Sequence, residues 1–227
     1  MPETSDESAF TYTVRYSKRK TLAVAVKDGH VTVYAPKYAK MSAIDAFLTK
    51  ERDWIIRALQ KDAKRQALRP VFATGGHFTF LGREMTIEVS DTATTHFDIA
   101  RGICFVKSGI EDATESIVSA LQAFAAQYLR MRLEKFAASR GITYRSFAMT
   151  RATGKWGSCS SDNKIMLHWQ LIFLPVAEID YVIAHECAHT VHHDHSKAFW
   201  ERVFELCPDY KALRRSLANR AIYAFEA

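Results

Sequence analysis

Five of the nine histidines fall within eleven residues: His185, His189, His192, His193 and His195. The first two frame His185-Glu186-Cys187-Ala188-His189, an HExxH pattern. On a helix, positions i and i+4 differ by about 40° in azimuth and about 6 Å in height. Two imidazoles so placed can converge on one ion at roughly 2.0–2.1 Å. Glu186 sits about 100° further round, poorly placed as a ligand but able to take a proton from water that the ion activates. The chemistry this pattern implies is hydrolysis at a single zinc, with Glu186 as general base.

A catalytic zinc needs a third protein ligand and an open position. His192 and His193 stand three and four residues after His189, whereas His195 lies beyond the expected end of the helix. A ligand from the following turn approaches from a direction the helix cannot supply, so His195 is the favoured third ligand. Upstream, Tyr181-Val182-Ile183-Ala184 is an apolar helical run, which puts the motif on a mostly buried helix. Buried imidazoles must satisfy two ring nitrogens, and metal ligation resolves that cost.

The elements that must position these residues read as follows. Residues 10–35 alternate apolar and polar, the pattern of strands, with a hairpin at Asp28-Gly29-His30. Ser42 is the expected cap of a helix running to about Gln66. His77–Val89 reads as a hairpin turning at Leu81-Gly82-Arg83, and 96–107 as a further strand pair. A long helix is expected from Ala113 to Arg140, closed by Gly141. Residues 144–151 and 164–173 read as strands flanking a turn-rich Thr153–Asn163. Leu174-Pro175 leads into the motif helix, expected to reach about Val191. Ser196 caps the next helix, and a last one is expected from Asp209 to about Phe225. The domain reading is a disordered lead-in at 1–9, a β-rich lobe with one helix at 10–110, and a second lobe at 111–227.

Three blocks now carry a resemblance. One runs from Trp156-Gly157-Ser158-Cys159-Ser160 through Ile165, Trp169 and Leu171 to Pro175. The second is Tyr181 to Ala184 with the HExxH motif, and the third is His195-Ser196-Lys197-Ala198-Phe199-Trp200 followed by Pro208-Asp209-Tyr210. Together they resemble the YgjP-like family of metal-dependent hydrolases, related to SprT-like metallopeptidases, over most of residues 10–220. The resemblance implies an α+β fold with a zincin-like C-terminal lobe. It also implies one Zn2+ on His185, His189 and His195, with Glu186 as the catalytic carboxylate. Two departures stand out. Lys155 replaces the Arg usual before Trp-Gly-Ser-Cys, losing bidentate geometry, and His168 replaces an Asn.

Lys155, Trp156, Gly157 and Ser158 are the candidate substrate-binding residues, with Gly157 permitting close backbone approach. Cys159 and Cys187 read as inert packing residues, and His168 as a structural histidine. Phe199 and Trp200 read as the seat of the turn bearing His195. Glu178, Asp180, Asp194 and Glu201 are candidates to orient a ligating imidazole.

The 227 residues, 48% apolar and 25% charged, describe an ordinary soluble protein. Its apolar runs are too short for a membrane span. The polar, acidic N-terminus has no signal-peptide pattern. Four cysteines with no CxxC suggest reduced thiols and a cytoplasmic setting. The net charge of +6 favours acidic partners, nucleic acid among them. Lys50–Arg69 holds seven basic and three acidic residues, and Arg15, Lys18, Arg19 and Lys20 form a second cluster. No aromatic-interleaved recognition motif accompanies them, so a solvated face is expected. The function expected is peptide-bond hydrolysis on a polypeptide substrate. The alternatives are a metal-dependent nucleoside triphosphate hydrolase and a non-catalytic zinc-containing nucleic-acid-binding module.

Overall fold

A computed structural model describes residues 10–67, 69–91, 94–107, 114–152, 154–223 and 225. The lead-in at 1–9 and the expected helix start at Ala113 lie outside them. Packing divides the chain into two units, Met1–Arg69 and Pro70–Ala227.

In the first unit, strands β1 (Tyr12–Ser17), β2 (Ala23–Lys27) and β3 (His30–Pro36) form a sheet in the order β1-β3-β2. The β2–β3 hairpin turns at Asp28-Gly29, with φ of 50° and 75°, the left-handed pair a two-residue turn needs. β1 pairs parallel with β3, a register that alternation alone does not reveal. Val31, Val33 and Ala35 of β3 are buried with Ile44, Leu48 and Ile55 of helix α1 (Met41–Ala67). That helix begins before Ser42: Ala43 and Ile44 donate to the carbonyl of Lys40. Ser42 therefore lies inside the first turn and is not its cap.

The second unit opens with β4 (His77–Phe80), β5 (Arg83–Ser90), β6 (His96–Asp98) and β7 (Ile103–Lys107), ordered β4-β5-β7-β6. Phe80, Met85, Ile87 and Val106 share one core with Leu121, Leu129 and Leu133 of α2 (Thr114–Ala138). By packing, this sheet therefore belongs with the C-terminal elements, and the division falls at Arg69/Pro70, ahead of the position near 110 read from the run of strands. The β4–β5 turn is the element that fixes the approach to the HExxH segment. Leu81 N–H donates to Ile172 O at 2.7 Å. Gly82, at φ +81°, lies so close that a Cβ there would stand 3.1 Å from Pro175 Cα.

A third sheet, β8-β10-β9, joins β8 (Ser146–Thr150), β9 (Gly157–Cys159) and β10 (Lys164–His168). The turn-rich stretch thus contains a short strand, β9. Trp169–Phe173, read as strand from its apolar run, is a 3-10 helix with every residue buried. His168 caps it, Nδ1 accepting from Gln170 N–H at 3.2 Å. An unbroken apolar run is equally consistent with a buried strand and a buried helical turn.

Helices α3 (Val176–Ala188), α4 (Lys197–Leu206) and α5 (Tyr210–Leu217) follow. α3 and α5 are both shorter than the periodicity predicts. Ser196 caps α4, its Oγ accepting from Phe199 N–H at 3.4 Å. Beyond α5 the side-chain amide of Gln170 clamps the backbone of Tyr223, donating to its carbonyl at 2.7 Å and accepting from its N–H at 2.8 Å. Glu178 of α3, buried, accepts from Arg220 and Ser216, which anchors the segment after α5 to the start of the motif helix. The described residues thus form a mixed α+β protein with five α-helices. No described helix is long and apolar enough to cross a membrane.

Candidate metal centre

α3 carries His185 and Glu186, and His189 caps its C-terminus. His195 comes from the turn just before Ser196. Ligand atoms of these three histidines all lie within 4.8 Å of one another. His185 Nε2 and His195 Nε2 face each other at 3.4 Å. Tetrahedral zinc with Zn–N bonds of roughly 2.0–2.1 Å requires N···N separations of about 3.3–3.4 Å, which the His185–His195 pair already meets. Nδ1 of His185 is buried without a hydrogen bond. Burial, and then the neighbouring His189 and His195, lower the pKa of His185 to about 4. Its ring is neutral at pH 7, the state in which imidazole ligates.

The ring nitrogen Nδ1 of His189 meets the carbonyl of His192 at 2.8 Å. His192 therefore contributes through its backbone, and neither it nor His193 joins the cluster. The four candidate carboxylates are engaged elsewhere. Glu178 is paired with Arg220, Asp180 with Arg132, and Glu201 with Lys197. Asp194 accepts from Ser196 N–H. A peptide carbonyl takes the orienting role for which sequence reading looked to side chains.

Phe199 is the floor of the cluster. Its ring stacks on His189 with centroids 4.3 Å apart and meets His185 and His195 edge-on at 5.0 and 4.8 Å. Trp200 lies 5.8 Å from both His185 and His195 and stacks on Tyr210.

Glu186 is only 5% exposed. Burial raises its carboxyl pKa to about 8, against the pull of Lys155. Gly157 of β9 lies directly on it: a Cβ there would stand 2.7 Å from Oε1 and 2.8 Å from Cγ. Only glycine lets the strand come this close. A cleft of about 200 Å³ opens here, lined by Lys155, Trp156, Gly157, Tyr181, His185 and Glu186 among others. Three of the four candidate substrate-binding residues line it. Ser158 is not among them, and its buried Oγ makes no hydrogen bond. Tyr181 and Leu217 also line the cleft, and sequence reading missed both as site residues. A tyrosine in an apolar helical run reads as core. The four cysteines are free, and burial raises the Cys159 and Cys187 thiols to about 11 and 12, so neither is a thiolate at neutral pH.

The sequence matches the YgjP-like metallopeptidase domain over residues 20–220. The chain belongs to the YgjP-like family. It is accordingly a metallohydrolase, and membership implies a catalytic metal. No curated protein matches it. Among solved structures, the metallopeptidase zymogen abylysin of Pyrococcus abyssi is similar at 21% identity and a TM-score of 0.36, over 42% of this chain and 99% of that one.

Two predictions arise here. Gly157→Ala should keep the three histidines in place but displace Glu186. A misplacement of about 1 Å costs on the order of 100-fold in rate, so kcat falls by that factor with metal content unchanged. Unchanged kcat would show that β9 does not position the carboxylate. The second concerns His168, 1% exposed, whose pKa burial lowers to about 4. The folded state prefers the neutral ring, so this stability is complete above the ordinary value near 6.5 and is lost as pH falls towards 4. A shift of that size corresponds to about 3 kcal/mol. His168→Asn retains a capping acceptor and removes the titration. Its urea midpoint should therefore drop less than the parent's between pH 7.5 and 5, and equal drops would count against this account.

Proposed function

We propose that this YgjP-like chain is a zinc-dependent peptidase in which His185, His189 and His195 hold the ion and Glu186 is the general base, in a zincin-like C-terminal lobe. The observation that carries this reading is a buried carboxylate, pinned by Gly157, beside three converging imidazoles. A divalent ion bound there supplies Lewis acidity, polarising a carbonyl and lowering the pKa of water.

The chain's own residues do the rest. Glu186 Oε, in the ionised form that a divalent cation beside it would favour against its burial, accepts a proton from water as the water oxygen bonds to the peptide carbonyl carbon. The same carboxyl then gives that proton to the departing nitrogen as the C–N bond breaks. Lys155, exposed at the cleft, places a cation where the carbonyl oxygen gains negative charge. β9 is an edge strand, and an extended polypeptide can add to such an edge through backbone hydrogen bonds. His189 is held in orientation by the His192 carbonyl.

The test is a side-by-side assay of casein and nucleoside triphosphates with zinc-loaded protein. Casein cleavage that a chelator stops and zinc restores is expected. Turnover of the triphosphates alone would end the peptidase reading.

A further inference from the structure

The charge of this chain is partitioned. Residues 10–69 hold fourteen Lys and Arg against five Asp and Glu, whereas 70–227 balance at seventeen of each. The excess lies wholly in the first unit, whereas the candidate metal centre belongs to the second, and the proposed hydrolysis does not use it.

Strand register gathers much of it at one end of the sheet. β1 runs parallel to β3, setting Ser17 opposite Pro36, and β2 starts at Ala23 opposite Tyr34. The β1–β2 loop with Lys18, Arg19 and Lys20 therefore emerges beside the β3–α1 loop with Lys37 and Lys40. The one acidic residue among 10–44 is Asp28, in the turn at the opposite end, where Lys27 pairs with His30. Asp45, the next along the chain, accepts from Tyr12 OH at 3.1 Å. Among the described residues, none of these five cations is in a salt bridge.

Aromatic side chains are interleaved with them. Tyr38 is 77% exposed between Lys37 and Lys40, and Tyr16 is 49% exposed. Tyr16 OH lies 3.7 Å from Met41 Sδ, which holds that ring at the start of α1. Arg19 stands 5.8 Å over the Tyr34 ring. Tyr38 is interleaved with its cations in the linear sequence, and the fold brings the Tyr16–Lys20 segment beside it.

We propose that this end of the first unit binds single-stranded nucleic acid, with phosphates on Lys18, Arg19, Lys20, Lys37 and Lys40 and unstacked bases on Tyr16 and Tyr38. Cations that track a backbone and exposed rings that accept base faces are the two components of such surfaces. Duplex bases offer no free face to a tyrosine. A membrane surface would be met by protruding Leu, Phe or Trp, and the exposed large apolar side chains at this end are the two tyrosines and Met41.

The test is fluorescence anisotropy of the full chain with a labelled single-stranded oligonucleotide of about 16 nucleotides, titrated at several salt concentrations. Five phosphate contacts give a slope of log K against log salt of about −3.5. Lys18→Ala/Arg19→Ala/Lys20→Ala should reduce it to about −1.4. Tyr38→Ala should weaken binding roughly tenfold with the slope retained. The control is Arg83→Ala/Arg101→Ala/Lys107→Ala, which removes the same charge from the second unit and should change nothing. No binding at low salt, equal losses in the two triple variants, or unchanged affinity in Tyr38→Ala would overturn the proposal. So would capture by phosphatidylserine vesicles without oligonucleotide binding, which would assign the surface to a membrane.

Discussion

Glu186→Gln should retain its full complement of metal and lose about three orders of magnitude in kcat, the middle of the range for removing a general base. The amide keeps the volume and the contact with Gly157, so the cleft keeps its shape. What it loses is the ability to accept and return a proton. Burial alone favours the neutral carboxyl of Glu186, with a pKa near 8, so an uncharged amide at this place carries no folding penalty. The variant should melt at or above the parent temperature. Stopped activity with intact metal and an unchanged melt locates the defect in proton transfer. Retained turnover would remove Glu186 from the mechanism.

The double variant His185→Ala/His189→Ala should contain no metal, against about one zinc per chain in the parent, and should show no turnover. One imidazole cannot replace three converging donors, and His192 and His193 lie outside the cluster. Elemental analysis after incubation with zinc gives the answer without an assay. A near-native circular dichroism spectrum is needed alongside it, because both changes open space beside Phe199. Full metal in the folded double variant would place the ion elsewhere. Metal absent from folded parent protein as well would remove the catalytic reading altogether.

The sequence made the histidine cluster legible because helical spacing is geometry. Residues four apart share a face, and a third histidine just beyond the helix end approaches from a direction the helix cannot supply. It also made both two-residue hairpins legible, since Asp28-Gly29 and Leu81-Gly82 carry the positive φ those turns demand. Elsewhere the reading failed for physical reasons. Apolar alternation does not say which strands pair, so the parallel β1–β3 partnership and the joining of β4–β7 to the C-terminal core were hidden. The Trp169–Phe173 run is apolar throughout and carries no period. The His192 carbonyl orients His189 through backbone, which any residue type possesses. Gly157 reads as a site of close approach, but only the fold shows that Glu186 is what it approaches.

Phe199 touches the rings of all three histidines, and its own backbone is tied to the Ser196 cap. These contacts hold the imidazoles through the fold itself. Immobilising a free side chain costs about 0.5–1.5 kcal/mol of entropy, and here folding has already met that cost for each ligand. Metal uptake should then resemble insertion into a rigid chelator, unlike the small zinc domains that fold only around their ion. Occupancy in such a protein would follow the free ion concentration around it, and chelator-treated protein should keep its native circular dichroism spectrum and take the metal up again.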